Sequence, residues 1–266
     1  MNEAYVKNLF SLDGKKAVVT GASSGIGRGV AVSLANFGAQ VALIGRNPEG
    51  LKETARLVAE AGGASESYIV DVSRKEEVDA FYDTYLEKHG GIDILVANAG
   101  VNIRGEFTDT TMEEVDTLIN TNFKGVLYHV LRAGECMKKQ RSGNIVIMSS
   151  VNGISAMPNL AIYSSVKYAL EGLTRAVAGS LAEFGVRVNS CAPGVVLTAI
   201  NEKIYAIQEN LDKKMESIPM RKIGYPKDIG DVVATMVSDA FGFMTGSTVL
   251  VDGGEHLRAK QPQKQN

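Results

Sequence analysis

The chain has 266 residues, of which 45% are hydrophobic and 22% charged, a composition that is typical of a folded globular protein and excludes a disordered one. Its 28 lysines and arginines balance 30 aspartates and glutamates, so the formal charge of -2 gives no electrostatic reason to bind nucleic acid or an anionic membrane. No apolar run approaches the roughly 18 residues of a membrane span, and residues 1–10 lack the features of a secretory signal, so we expect a cytoplasmic protein.

In chain order, short apolar strands alternate with helical stretches. The first strand covers residues 16–20, and the helix after it covers residues 25–37, with apolar residues at helical spacing. Further strands are predicted over residues 40–44, 67–70, 92–96, 144–148, 187–191 and 248–251. Further helices are predicted over residues 50–61, 75–89, 112–139, 161–184, 202–216 and 227–237.

Apolar strands separated by helices are typical of a parallel sheet that is covered on both faces. We therefore predict a Rossmann-type, doubly wound α/β fold with seven parallel strands. No linker or internal repeat divides the chain, so residues 1–266 are expected to form a single domain, with a polar tail over residues 259–266. Cysteine and histidine are few and lack metal-ligand spacing, so no metal site is predicted.

A glycine-rich turn, residues 20–27 (TGASSGIG), follows the first strand and opens the first helix. Glycines permit a tight turn, and a helix N-terminus offers free amide donors, so the turn suits a dinucleotide pyrophosphate. Because the spacing is GxxxGxG and not the usual GxGxxG, a plain tight turn is the alternative. The cofactor residues predicted here are Gly21, Ser23, Ser24, Gly25, Ile26 and Gly27.

Arg46 and Asn47 follow the second strand, where a site selective for NAD(H) carries an acidic residue. The planar, permanently charged guanidinium of Arg46 suits the 2′-phosphate of NADP(H), which makes NAD(H) the less favoured cofactor. A solvated surface arginine is the alternative. Asp71 and Val72 follow the third strand, where the carboxylate could contact adenine or cap a helix.

The ends of the fourth and fifth strands supply further candidates. Asn98, Ala99 and Gly100 could let the backbone pass close to a cofactor, or form a simple turn. Ser150 ends the fifth strand, and open α/β sheets bind ligands at the carboxyl ends of their strands. Its hydroxyl could therefore hold a substrate oxygen.

Tyr163 and Lys167 are four residues apart, so on a helix they share one face. A nearby ammonium favours the phenolate and brings the tyrosine pKa down from about 10 toward working pH. Tyr163 is thus a candidate general acid/base. Taken singly, each of these residues is a weak signal, but with Ser150 they indicate redox chemistry, because the chain shows no Ser-His-Asp or Cys-His arrangement near them.

These motifs occur in order from residue 20 to Asp252-Gly253-Gly254. In this the chain resembles the short-chain dehydrogenase/reductases, whose motifs are TGxxxGxG and YxxxK. The resemblance implies that Tyr163 transfers the proton at the substrate oxygen, Ser150 hydrogen-bonds that oxygen, and Lys167 binds the nicotinamide ribose. It also implies that Asn122 holds a water in a proton relay, and that a homotetramer forms. The segment implied to meet the nicotinamide consists of Pro193, Gly194, Val196 and Thr198.

The substrate prediction rests on one loop and a few side chains. Residues 199–219 correspond to the family's mobile substrate loop, whose apolar positions here include Ile200, Ile204 and Tyr205. Arg104 and Asn152 are the predicted substrate residues beside Ser150 and Tyr163, since Arg104 could pair with a carboxylate. Other pocket candidates are Asn102, Ile154, Met157 and Leu160.

Two subgroups of the family look similar to this chain. Gluconate 5-dehydrogenase-like enzymes resemble it at residues 9–15 and at Arg104, whereas 3-oxoacyl-acyl-carrier-protein reductases resemble it in length and at residues 218–221. The second group usually has a carrier-docking arginine where this chain has Phe184, which disfavours that reading. The sequence thus predicts an NADP(H)-dependent oxidoreductase for a small polar carbonyl or alcohol. A carrier-protein reductase and a non-catalytic dinucleotide-binding sensor are the alternatives.

Overall fold

The computed structural model describes residues 2–199 and 201–257 and arranges the apolar strands in one sheet. All seven strands are parallel and lie in the order β3-β2-β1-β4-β5-β6-β7, so the predicted fold class is confirmed. The strands are β1 (Lys16–Thr20), β2 (Gln40–Gly45), β3 (Ser65–Ile69), β4 (Ile94–Ala97), β5 (Gly143–Met148), β6 (Val186–Pro193) and β7 (Thr248–Val251).

Helices connect the strands and cover both faces of the sheet. They are α1 (Glu3–Phe10), α2 (Gly25–Asn36), α3 (Pro48–Glu60), α4 (Lys75–His89), α5 (Met112–Leu118), α6 (Gly125–Gln140), α7 (Ala161–Leu181), α8 (Glu202–Tyr205), α9 (Gln208–Glu216) and α10 (Pro226–Met236). No helix of the described residues is long and apolar enough to cross a membrane.

Alternate side chains of each central strand enter two separate cores, because successive residues of a strand point to opposite faces. In β1, Val19 packs with α2, α3 and α10, whereas Val18 packs with α4, α6 and α7. Ile94 and Leu95 of β4 divide in the same way. Burial on both faces explains why these strands read as continuous apolar runs and not as alternating ones.

The helix predicted over residues 112–139 is interrupted, and that prediction is corrected. Its middle, Ile119–Lys124, is a π-helical segment in which the Gly125 N–H donates to the Asn120 carbonyl, five residues back. Such a segment inserts one residue into the helical repeat without changing its polar or apolar character, so periodicity does not reveal it. Asn122 lies within this segment.

Other boundaries differ in smaller ways. The stretch predicted as one helix over residues 202–216 is two helices, α8 and α9, with Ala206 and Ile207 between them. Helix α1 was not predicted, because it buries none of its residues and so shows no core-facing stripe. The third and fourth strands are each displaced by about two residues from their predicted positions. The predicted tail, residues 259–266, and the loop residue Ile200 lie outside the described residues.

Candidate active site

A cavity of about 540 Å³ opens at the carboxyl edge of the sheet, where β1 and β4 lie side by side and the order of strands reverses direction. Every predicted catalytic, cofactor-binding and substrate-binding residue lines this cavity except Asn122. Those residues are Gly21, Ser23, Ser24, Gly25, Ile26, Gly27, Arg46, Asn47, Asp71, Val72, Asn98, Ala99, Gly100, Arg104, Ser150, Asn152, Tyr163, Lys167, Pro193, Gly194, Val196 and Thr198.

The glycine-rich turn leaves the first amides of α2 free at the cavity wall. Ser24 is the N-cap residue but makes no side-chain capping hydrogen bond, and the first turn carries no acidic residue. Gly21 and Gly25 have positive φ angles of 67° and 54°, a backbone conformation that side chains disfavour. A Cβ on Gly27 would lie 2.2 Å from the Gly21 carbonyl oxygen. Unpaired amides at a positive dipole end fit a pyrophosphate group.

Thr20 joins this turn to the loop after β4. Its hydroxyl accepts hydrogen bonds from the amides of Asn98 and Ala99, both at 2.9 Å, and its carbonyl accepts one from Asn98 Nδ2. These contacts hold the small residues 98–100 against the turn. Thr20 was part of the motif but was not predicted as a site residue, because its role depends on strand pairing.

Arg46 and Asp71 face each other where the adenosine end of a dinucleotide would lie. Arg46 Nη1 is 3.4 Å from Asp71 Oδ2, and the Arg46 side chain is 66% exposed. Burial acts to raise the pKa of Asp71, but hydrogen bonds from Ser73 and the Arg46 charge outweigh it, so the pKa is lowered. Asp71 therefore carries a negative charge beside Arg46, and it does not cap α4, whose N-cap is Arg74.

Tyr163 and Ser150 lie together at the other end of the cavity. Burial raises the pKa of Tyr163, while a hydrogen bond with the Ser150 side chain and the Arg104 charge act to lower it. Ser150 Oγ accepts a hydrogen bond from the Asn152 amide at 3.1 Å. Because that bond occupies only an acceptor position, the Ser150 hydroxyl proton is free to be donated toward Tyr163 or a bound oxygen.

Lys167 lies beside Tyr163 on the same face of α7. Its Nζ is 5.6 Å from the centre of the Tyr163 ring and donates to the Met148 carbonyl at 2.7 Å. Burial lowers the pKa of Lys167 to about 8, and the Glu171 carboxylate acts in the opposite direction. The structure thus brings a buried amine, a phenol and a hydroxyl to one wall of the cavity.

Asn122 is buried behind the cavity wall. Its Nδ2 donates to the Val101 carbonyl and its Oδ1 accepts from the Val101 amide, both at 2.8 Å. The side chain therefore holds the loop after β4. A direct role of Asn122 in the expected proton relay would then fall to its backbone, in the π-helical segment.

The remaining wall mixes polar and apolar groups. Asn102, Arg104, Asn152, Met157 and Leu160 line the cavity, whereas Ile154, predicted with them, does not and is 38% exposed. Asn152 Oδ1 is buried and has no hydrogen-bond partner. A buried acceptor of this kind is available to a ligand hydroxyl.

Three more side chains line the cavity; Tyr205 belongs to the predicted substrate loop, whereas Lys214 and Glu255 were not predicted as site residues. Tyr205 and Lys214 belong to α8 and α9, and Glu255 follows the last strand. Lys214 Nζ is 2.5 Å from Glu255 Oε1, and Glu255 Oε2 accepts from the Val195 amide at 2.9 Å. No local motif marks these residues, since each partner is distant in sequence. Within residues 2–199 and 201–257, no group of three or more His, Cys, Asp or Glu side chains could hold a metal ion.

Comparison with known proteins gives consistent matches over nearly the whole chain. Residues 21–256 match the family model described as Enoyl-(Acyl carrier protein) reductase. The chain is 37% identical over 251 residues to 3beta-hydroxysteroid dehydrogenase 1 of Eggerthella lenta, covering 92% of this chain and 95% of the relative. It is 36% identical over 248 residues to a 3-oxoacyl-acyl-carrier-protein reductase of Staphylococcus aureus, covering 91% and 98%.

Among solved structures, a candidate NAD(P) dependent gluconate 5-dehydrogenase from Beutenbergia cavernae, with NADP bound at low occupancy, is similar to this chain with a TM-score of 0.88. The two are 34% identical, and the match covers 93% of this chain and 98% of the other.

Proposed function

Because the chain belongs to the short-chain dehydrogenase/reductase family, we propose that it is an NADP(H)-dependent oxidoreductase that interconverts a carbonyl and a secondary alcohol on a small polar substrate. The observation that carries the proposal is the shared cavity: the Ser150, Tyr163 and Lys167 side chains lie on the wall that continues from the glycine-rich turn. A protein that only bound a dinucleotide would have no need of a phenol beside a buried amine.

The proposed acid/base is Tyr163. In the reducing direction its hydroxyl donates a proton to the carbonyl oxygen, and in the oxidising direction its phenolate accepts the alcohol proton. Ser150 donates a hydrogen bond to the same oxygen. The Lys167 ammonium favours the phenolate of Tyr163 and binds the nicotinamide ribose, while Asn122 supports a water in the proton relay. Bound NADP(H) supplies or accepts the hydride.

The preference for NADP(H) rests on Arg46. It offers a guanidinium next to the serines of the glycine-rich turn, where the adenosine ribose of a bound cofactor would lie. No carboxylate follows β2 directly, and the nearest one, Asp71, already faces Arg46. A 2′-phosphate would give Arg46 a further anionic partner, bound through charge-assisted hydrogen bonds.

A small polar substrate is supported by the groups around Tyr163. Arg104 lines the same cavity as Tyr163 and Tyr205, and its charge acts to lower the pKa of both hydroxyls. With the unpartnered Asn152 oxygen it offers one cation and one acceptor, which suit the carboxylate and hydroxyl groups of a keto-sugar acid or polyol.

A 3-oxoacyl-acyl-carrier-protein reductase is the second candidate, and the Staphylococcus aureus relative supports it. Phe184 weakens it: the ring packs on the core under Lys138, whose Nζ is 4.4 Å from the ring centre, and so has a structural role of its own. A non-catalytic dinucleotide-binding sensor is the third candidate. We also propose that the protein is located in the cytoplasm and assembles as a homotetramer.

Initial rates separate these candidates. NADPH and NADH oxidation would be recorded side by side with keto-sugar acids, diketones, a keto ester and a 3-oxoacyl thioester. We expect NADPH-dependent turnover with the small polar ketones. Turnover with the thioester alone would favour the carrier-protein reductase, and NADPH binding without any turnover would favour the sensor.

A further inference from the structure

Glu171 is a buried carboxylate one helical turn beyond Lys167. Its side chain is 4% exposed, and it lies on the helix face that also carries Tyr163 and Lys167, at positions i, i+4 and i+8 of α7. Helical side chains lean toward the N-terminus of their helix, so the Glu171 carboxylate leans toward the turn of Lys167. A buried carboxylate is costly unless it is paired and hydrogen-bonded.

Two hydroxyls from neighbouring strands hold this carboxylate. Ser190 Oγ of β6 lies 3.0 Å from both Glu171 oxygens, and Thr248 Oγ1 of β7 donates to Oε2. Ser190 and Thr248 face each other in the β6–β7 register. The carboxylate therefore anchors α7 to two strands at once, and neither hydroxyl neutralises its charge.

The cations near Glu171 differ in their exposure. Arg175 Nη2 is 3.9 Å from Oε2, but the Arg175 side chain is 62% exposed, so solvent screens that pair. Lys167 is 5% exposed, and its hydrogen bond to the Met148 carbonyl brings no negative charge. The charged form of buried Lys167 therefore depends more on the negative charge of Glu171 than that of exposed Arg175 does.

The other elements that pack against α7 contribute little charge here. Strands β5 and β7 and the turn Val151–Gly153 contain no titratable residue. Of the two on β6, the Cys191 thiol has its pKa raised to about 12 by burial, and Arg187 donates to the carbonyls of Met236 and Met244. On α5, Glu113 and Asp116 are exposed and Glu114 is in the helix capping box, while Lys124 of the π-helical segment is exposed. Glu183 of the turn after α7 is also exposed.

We infer that Glu171 is a positioning residue for the Tyr163–Lys167 pair: anchored by Ser190 and Thr248, its carboxylate is the buried counter-charge that keeps Lys167 an ammonium. The inference rests on the proposed function, because it assigns a requirement to Lys167. It fits the opposing effects on the Lys167 pKa, which burial lowers and Glu171 raises. Removing this negative charge makes Lys167 easier to deprotonate, and the neutral amine no longer favours the Tyr163 phenolate.

The test is the pH profile of Glu171→Gln. The amide keeps an acceptor for Ser190 and Thr248 but removes the charge. In the reducing direction kcat/KM should fall at a pH about one unit lower than in the wild type, because Lys167 loses its proton more readily without the Glu171 charge. Near pH 6.5, kcat/KM should stay within about threefold of the wild type. The pH above which NADPH affinity falls, measured by fluorescence, should move in the same direction.

Two further variants separate charge from packing. Glu171→Asp keeps the charge, so the alkaline limb, the pH range in which kcat/KM falls, should match that of the wild type. Ser190→Ala removes one anchor but not the charge. Its alkaline limb should therefore not move to lower pH, even if the Tm falls. An unshifted limb in Glu171→Gln would overturn the inference, as would an equal downward shift in Ser190→Ala.

If Glu171→Gln does not fold, Ser190→Ala combined with Thr248→Val carries the test. Without these two hydrogen-bond donors, the Glu171 charge acts more strongly on Lys167, and the alkaline limb should move to higher pH. An alkaline limb that moves to lower pH or does not move contradicts the inference. If the wild type turns over no substrate, the proposed function fails, while the NADPH-affinity profiles of the variants still test Glu171.

Discussion

Burial shifts the pKa values of both Tyr163 and Lys167, the two residues of the proposed acid/base pair. Burial alone disfavours the charged form of each side chain, raising the pKa of the phenol and lowering that of the amine to about 8. Each group needs local compensation to reach its working state. Ser150 supplies it to Tyr163 through a hydrogen bond, and Glu171 supplies it to Lys167 through charge.

At Arg46 we predict a reversal of cofactor preference. Arg46→Asp places a second carboxylate near Asp71, which would repel a 2′-phosphate but could accept hydrogen bonds from a ribose diol. We expect kcat/KM for NADPH to fall at least tenfold relative to NADH. Arg74, which is exposed and paired with Glu77, offers a matched control in Arg74→Asp. An unchanged preference in Arg46→Asp would mean that Arg46 is only a surface charge.

At His129 we predict a loss of stability in acid. The ring is buried between α4 and α6, with Nδ1 3.1 Å from the Tyr82 hydroxyl and Nε2 without a partner. Burial lowers its pKa to about 3, below the 6.5 of an exposed histidine, so the unfolded chain binds the extra proton first. Stability is therefore full above pH 6.5 and falls, by up to about 1.4 kcal/mol per pH unit, as the pH drops toward 3.

Urea denaturation between pH 7 and pH 5 measures this effect. His129→Gln keeps a polar partner for Tyr82 but cannot be protonated, so its free energy of unfolding should change less over that interval than the wild type's. If the free energy of unfolding changed equally with pH in both proteins, the pKa of His129 would be the same in the folded and unfolded states, against the prediction.

The site residues fall into two groups by how visible they are in the sequence. Gly21, Ser150 and Tyr163 belong to motifs that occur in a fixed order. Gly21 and Ser150 reach the cavity because parallel strands end at one edge, and Tyr163 reaches it from the first turn of α7. Glu171 and Glu255 belong to no motif. Their partners, among them Ser190, Thr248 and Val195, come from distant parts of the chain, so only the packed structure brings them together.

Among the elements, α8 and α9 form a cover on the substrate end of the cavity. The Lys214–Glu255 pair ties α9 to the chain after β7, and Glu255 in turn accepts from Val195, next to the nicotinamide segment. Both side chains are largely buried, at 19% and 13% exposed. The pair therefore connects the position of the cover with that of the residues implied to meet the nicotinamide.

Breaking this pair should weaken substrate binding. For Lys214→Met we expect KM for the carbonyl substrate to rise about tenfold, equivalent to about 1.4 kcal/mol, with kcat changed less. Lys213→Met is the control, because Lys213 pairs with Glu209 in full solvent exposure. Steady-state kinetics of both variants measure the difference, and equal KM values for the two would remove the role assigned to the pair.

Element boundaries were predictable only where hydrophobic periodicity is continuous. Strand β1 and helix α4 have the predicted bounds, since both carry an uninterrupted pattern. Neither the π-helical segment nor the break at Ala206 contains a proline or a glycine that would announce it in the sequence. Within the π-helical segment, Asn122 directs its side chain to Val101.

In the whole molecule, large apolar side chains stay exposed on the helices of one face of the sheet. Leu131 of α6 is 58% exposed and Tyr168 of α7 is 46% exposed, although both helices also bury a full stripe against the sheet. Large apolar side chains left exposed on these helices favour a surface that is covered in an assembly. A second copy of the chain, packing through the same helices, would cover them symmetrically.

Because the family resemblance implies a homotetramer and this face is free for one of its contacts, we predict a homotetramer in solution. Sedimentation equilibrium should give four times the 28.4 kDa of one chain. Leu131→Glu combined with Tyr168→Glu should shift the protein to smaller species, because burying a charge without a partner is costly. Ile69→Glu, at the exposed edge strand β3, should leave the assembly unchanged. A wild-type protein that sediments as a monomer would contradict the prediction.

The central claim, that the cavity performs acid/base chemistry through Tyr163, is tested most directly by Tyr163→Phe. Turnover of the best substrate and NADPH affinity would be measured on the same preparation. Loss of the hydroxyl alone should lower kcat by at least a thousandfold, with little change in the Kd for NADPH, because the ring remains and the glycine-rich turn is untouched. A variant that keeps most of its activity would show that another group moves the proton.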